Sequence, residues 1–208
     1  MADQVDIKTY NDEKFLAGGV KAPSLETVQF TVGDKFEFEA GKNYVLYFFN
    51  TFYKGAWWCN EEITKLSEKY ADITFVAVSV DAELASLERF VQKQADKKII
   101  DENTKEPLRL ILDKTIWDEG KVLNKAYADA FDHTVLHVPQ GVVINGKGEI
   151  AWRQSFTQSY LVSESNFEDQ MNRIIKGEDL DLSNGNKPKV QAGEDDGEEA
   201  EVDDMALF

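Results

Sequence analysis

Tyr44-Val45-Leu46-Tyr47-Phe48-Phe49 is a near-continuous apolar run of six residues, entered through the turn Ala40-Gly41-Lys42-Asn43 and left at Asn50. A strand with one wet face alternates apolar and polar residues. A run with no polar face reads as a strand covered on both sides, as in a parallel sheet. Ile73 to Val80, Ile-Thr-Phe-Val-Ala-Val-Ser-Val, reads the same way and stops at Asp81. Between the two runs, from about Tyr53 to Tyr70, the residues Cys59, Ile63, Leu66 and Tyr70 fall at i, i+4, i+7 and i+11, one face of a 3.6-residue period. Strand, helix and strand in this order make a βαβ unit.

The flanks extend it. Upstream, Val28-Gln29-Phe30-Thr31-Val32 and Phe36-Glu37-Phe38 alternate around Gly33-Asp34, the pattern of a small N-terminal β-hairpin. Downstream, Leu84, Leu87, Phe90 and Val91 mark a second helix, Leu108 to Leu112 a short strand, and Val122, Leu123, Ala126 and Tyr127 a third helix. Val142-Val143-Ile144 and Glu149-Ile150-Ala151-Trp152 flank Asn145-Gly146-Lys147-Gly148, a second hairpin. A closing helix starts near Ser165, with Ser165 and Glu168 spaced as a capping box and Gly177 as its C-cap. Alternating βα units joined to an antiparallel pair imply a mixed central sheet with helices on both faces. The polar stretch 96–107 reads as a surface insertion. From about Asp181 hydrophobic periodicity is lost. The expected organisation is an extension over 1–17, one α/β domain over 18–180, and a disordered acidic tail over 181–208.

Composition narrows the function classes. The chain has 208 residues, 42% of them hydrophobic and 12% aromatic, enough for one domain with a substantial core. Its net charge is −16, from 39 acids and 23 bases, and such a surface repels phosphate backbones, so no nucleic-acid partner is expected. No apolar run approaches the roughly 18 residues of a membrane span. The acidic start Met1-Ala2-Asp3-Gln4-Val5-Asp6 argues against a secretory or transit leader, and the expected location is cytoplasmic. Cys59 is the one cysteine, and His133 and His137 are the only histidines, so neither a disulfide within the chain nor a metal cluster of these residues is expected. The residues suggest no cofactor.

The order of elements resembles the thioredoxin-like superfamily, in particular its TlpA, redoxin and peroxiredoxin (AhpC/TSA-like) branch. Val20-Lys21-Ala22-Pro23 is similar to the branch's entry segment, Val76-Ala77-Val78-Ser79-Val80-Asp81 to its second core strand, and Val138-Pro139-Gln140-Gly141-Val142-Val143-Ile144-Asn145 to its V-P-x-x-x-x-I-D segment. The resemblance implies that Pro139 is cis and that Val138 lines a groove for an extended polypeptide. It also implies a W-C-x-x-C redox site between the first core strand and the following helix, and here two alignments compete.

Matching Trp58-Cys59 to W-C makes Cys59 a catalytic nucleophile and puts Glu62 in place of the resolving cysteine. The gapless alignment instead lays Val45 to Ala56 on the family's strand and motif, with Phe52 before the nucleophile position and Tyr53 and Ala56 replacing both cysteines. Cys59 then sits on the apolar face of the helix. Periodicity favours the gapless alignment, because free cysteines usually behave as small buried hydrophobes. Glu61 and Glu62 favour it too, since carboxylates near a thiol oppose its ionisation.

Two functions follow. One is a protein-binding or adaptor module using a groove at Tyr53, Lys54, Val138 and Pro139, without dithiol chemistry. The other is a monothiol oxidoreductase or one-cysteine peroxidase using Cys59, recycled by an external thiol. Trp57 and Trp58 are adjacent and cannot share a helix face, so either one lies inside and the other near the groove, or both pack under the N-terminal hairpin. The end Glu198-Glu199-Ala200-Glu201-Val202-Asp203-Asp204-Met205-Ala206-Leu207-Phe208, acidic then apolar, suits either a solubilising tail or a segment that docks on a protein partner. The oligomeric state is left open.

Overall fold

The computed structural model describes residues 19–26, 28–53, 55–101, 104–109, 112–156 and 161–181. The apolar runs form the centre of a six-stranded sheet. Its strands are β1 (Gln29–Val32), β2 (Tyr44–Phe49), β3 (Thr74–Ser79), β4 (Thr115–Trp117), β5 (Gln140–Ile144) and β6 (Ile150–Ser155), in the spatial order β1-β4-β3-β2-β5-β6. β2, β3 and β4 run parallel, while β1, β5 and β6 are antiparallel to their neighbours. The described helices are α1 (Gly55–Lys69), α2 (Leu84–Ala95), α3 (Val122–Ala130) and α4 (Phe167–Lys176). None of them is long and apolar enough to cross a membrane.

All six residues of β2 are buried because alternate side chains enter two different cores. Val45, Tyr47 and Phe49 pack with Cys59, Ile63 and Leu66 of α1, Leu87 and Phe90 of α2, and Phe167 and Met171 of α4. Tyr44, Leu46 and Phe48 pack on the other face with Leu123, Tyr127 and Ala128 of α3. The run without a polar face is thus the central strand of a sheet with helices on both sides.

Three local expectations are corrected. The N-terminal hairpin does not form: β1 pairs with β4, Gln29 opposite Trp117 and Phe30 opposite Ile116, while 34–39 carry no strand. Phe36 and Phe38 spend their alternation on rings, lying 5.5 and 5.0 Å from the ring of Tyr44. Gly33 is needed for a different reason than a hairpin turn. Its φ is 76°, and a Cβ there would lie 2.4 Å from the backbone oxygen of Asp113. The third parallel strand is Thr115–Trp117 rather than 108–112. Leu108 and Leu112 are buried as separate plugs, and the Leu108 N–H donates to Ile99 O at 2.9 Å, tying it to the 96–107 insertion. The capping box at α4 is also absent. Ser165 Oγ accepts the Phe167 N–H at 3.1 Å, but Glu168 turns away to accept from Lys69 Nζ and Tyr70 OH, both at 2.6 Å. Gly177 closes α4 in the left-handed conformation as expected, at φ 68°.

The expected extension over 1–17 lies outside the described residues, as does the tail from 182 onward.

Candidate functional site

The C-terminal ends of β2, β3 and β4 and the N-terminal end of β5 open at one edge of the sheet, because β5 is antiparallel to β2 and Phe48 pairs with Gln140. Four loops meet there: 50–53, 80–83, 118–121 and 132–139. This is where the sequence placed its groove.

The loop 50–53 is held by a buried acid. Asp81, only 3% exposed, accepts the Thr51 N–H at 3.1 and 3.2 Å, the Thr51 Oγ1–H at 3.0 Å and the Ser79 Oγ–H at 2.6 Å. Trp117 Nε1 donates to the Asp81 carbonyl at 3.0 Å, and Trp57 Nε1 to the Thr51 carbonyl at 3.3 Å. The Tyr53 N–H donates to Asn50 Oδ1 at 3.0 Å, and the Tyr53 carbonyl accepts the Ala56 N–H at 2.9 Å as α1 begins. A buried carboxylate satisfied by several donors is how a protein keeps a polar loop close-packed. Phe52, in the middle of this loop, is 78% exposed, and Tyr53 is 37% exposed.

Across from it, the Val138–Pro139 peptide is cis, as the resemblance implied. Pro139 is buried and its carbonyl accepts the Phe156 N–H at 3.0 Å; Val138 is half-buried against the α3-side core. Asn124 Nδ2 donates to the Leu136 carbonyl at 3.0 Å, fastening this loop to α3. The start of α3 is capped by Asp118, 1% exposed, whose carboxylate accepts the N–H groups of Leu123 and Asn124 at 2.7 Å each. Burial raises the Asp118 pKa above the usual carboxylate value, although these N–H bonds and Lys121 pull the other way. Tyr53, Val138 and Pro139 therefore share one edge, while Lys54 lies outside the described residues.

His137 is exposed at this edge, whereas His133 is half-buried with Nε2 3.0 Å from Arg153 Nη2. Arginine can only donate, so His133 Nε2 accepts and the neutral ring carries its proton on Nδ1. The Arg153 guanidinium lies 4.3 Å over the Phe131 ring.

Cys59 is elsewhere. It lies in the second turn of α1, 0% exposed, in the core with Ile63, Leu66 and Phe49. Burial pushes its thiol up to about 12, and the negative charge of Glu62 adds to the shift, outweighing opposing backbone hydrogen bonds from Val162 and from Cys59 itself. Glu62 is engaged elsewhere, accepting the Ser163 N–H at 3.0 Å and the Ser163 Oγ–H at 2.6 Å. Trp57 and Trp58 do not divide into an inner and an outer ring, since both are half-buried. Trp57 packs 6.1 Å from the ring of Phe90.

Sequence reasoning did not find the roles of Asp81, Asn50 and Asp118. In the sequence Asp81 reads as the end of a buried run and of the segment 76–81, and its place two residues past β3 is the available signal. Among the described residues no group of three or more His, Cys, Asp or Glu side chains is placed to hold a metal ion.

No protein-family model and no curated protein sequence matches the chain. Solved structures do match its fold. An uncharacterized conserved protein from Geobacillus kaustophilus aligns at 16% identity and TM-score 0.55, over 82% of this chain and 87% of that one. A hypothetical protein from Sinorhizobium meliloti 1021 aligns at 14% identity and TM-score 0.54, over 82% and 90%. A thioredoxin-like protein solved in its oxidized form aligns at 15% identity and TM-score 0.52, over 76% and 96%. The fold of this chain is thioredoxin-like.

Proposed function

We propose that this protein is a thioredoxin-like binding or adaptor module that works without dithiol chemistry, recognising a polypeptide at the edge formed by Tyr53, Val138 and Pro139, with Lys54 beside them in sequence. The observation that carries the reading is the sealing of its one thiol. Cys59 is 0% exposed and its pKa is pushed up to about 12, so at neutral pH almost none of it is the thiolate that attacks disulfides or peroxides. In the gapless alignment the resembled family's two cysteine positions fall on Tyr53, two residues before α1, and on Ala56, the second residue of α1.

Alkylation of the native protein as a function of pH tests this. The expected result is negligible modification of Cys59 across the neutral range, and full modification once the chain is denatured. Rapid modification with an apparent pKa well below the ordinary thiol value of about 8.5 would instead make Cys59 a nucleophile and the protein a one-cysteine redox enzyme.

A further inference from the structure

We infer that the edge around Phe52 takes an extended, basic segment of a partner protein, with Phe52 as a braced apolar anchor. This inference rests on the binding reading above and names the partner's chemistry. A single exposed phenylalanine is ordinary on a protein surface. Phe52 differs because the backbone polar groups of the residues on both sides of it are already engaged. Thr51 is tied through its N–H and hydroxyl to the buried carboxylate of Asp81, and through its carbonyl to Trp57 Nε1. Tyr53 is tied through its N–H to Asn50 and through its carbonyl to the Ala56 N–H. The ring is thus displayed on a loop that has little freedom left to lose, the condition under which an aromatic residue makes an effective binding anchor. Tyr53, Val135 and Val138 supply further apolar surface at the same edge, at 37% exposure for Tyr53 and 54% for Val135.

Charge selects the occupant. Among the described residues of the four loops at this edge, the exposed charges are Glu83, Glu119 and Asp132 against Lys121, an acidic balance that Lys54, next to Tyr53 in sequence, reduces but does not reverse. Acids outnumber bases over the described residues as a whole, so the field at longer range has the same sign. A basic segment is drawn to such an edge, and an acidic one is turned away. A second copy of the chain would set the same acids against each other.

The test is selection from a random dodecapeptide library displayed on phage, with full-length protein as bait, followed by affinity measurement on the enriched peptides. The expected peptides carry net positive charge around a bulky apolar residue, and their binding weakens as salt rises. Phe52→Ala should weaken them about thirtyfold, a hot-spot loss. Asp81→Asn leaves the ring in place but loosens its loop, and should weaken them about fivefold. In the Phe52→Ala background Asp81→Asn should add nothing, whereas a general structural defect would add its full effect. Thr51→Val gives the same reading if Asp81→Asn folds poorly. Peptides without a basic bias, or peptides that bind Phe52→Ala as tightly as the parent, would overturn this inference and leave the binding reading standing. A wild-type dimer that Phe52→Ala converts to monomer would seat a second copy there and overturn it too. No enrichment above background would remove both.

Discussion

Two stretches of one connected segment, the loop 50–53 and the second turn of α1, solve opposite problems with opposite chemistry. The loop is polar underneath and apolar on top. Asp81, Asn50 and Trp57 satisfy its backbone and hydroxyl groups from below, Trp117 in turn donates to the Asp81 carbonyl, and Phe52 projects at 78% exposure. The turn at Cys59 also carries Asn60, Glu61 and Glu62, but its thiol faces the core, closed off by Ile63, Leu66 and Phe49. In this protein, exposure follows the hydrogen-bonded brace rather than the reactive atom.

The contrast can be broken most severely at Asp81. Replacing it by alanine strands the Thr51 N–H, the Thr51 hydroxyl and the Ser79 hydroxyl in a buried place. The expected loss is about 3 kcal/mol of stability by urea unfolding. A value within experimental error of the parent would mean that the brace does not exist in solution. Next comes Cys59→Ser, which puts a hydroxyl into the core beside Ile63, Leu66 and Phe49 and should cost about 2 kcal/mol. Cys59→Ala should cost less than Cys59→Ser. If serine were tolerated better than alanine, the turn would have to be wet.

Asp118 sharpens the comparison through pH, because it too is a buried acid under an exposed loop. Burial raises its folded pKa above the ordinary carboxylate value. The folded state therefore holds the proton more tightly than the unfolded chain. The associated stability is fully present below the unfolded value and is lost as pH rises through the folded one. Unfolding free energies from pH 3 upward, compared between parent and Asp118→Asn, should differ in this direction. An opposite slope would show that the Leu123 and Asn124 N–H bonds outweigh burial. The smallest effect is expected at Phe52. Phe52→Ser should shift stability by no more than about 0.5 kcal/mol, as at other exposed positions. A larger loss of melting temperature would place the ring inside the fold.

The fold was largely legible because its signals are local and repeated. The unbroken run in β2, the matching run in β3 and the helical period between them depend only on neighbours in sequence, and each recurs in the structure within a residue or two of its expected bounds. The Val138–Pro139 segment was legible through its resemblance to a known pattern. Readings failed where the partner is far away in sequence. Phe36 and Phe38 have strand alternation, but a ring at Tyr44 claims them. Thr115-Ile116-Trp117 is too short to show a period and becomes a strand only because β3 and β1 lie on either side of it. Glu168 has capping-box spacing, but Lys69 and Tyr70 arrive from α1 and take its carboxylate.

The candidate site divides along the same line. Sequence alone determined that a single thiol is present, that it shares a helical period with Ile63 and Leu66, and that Phe52, Tyr53 and Ala56 stand around the start of that helix. Periodicity is a property of the chain, and hydrophobic burial follows it. Only the tertiary structure decided that Asp81 reaches across to hold Thr51, that Asp118 caps α3 beneath the loop carrying Val138, and that Phe52 is left in solvent on a rigid support. Those outcomes depend on which strand ends are brought together at one edge of the sheet. A hydrogen bond between residues thirty positions apart leaves no mark on the sequence until the chain has closed that distance.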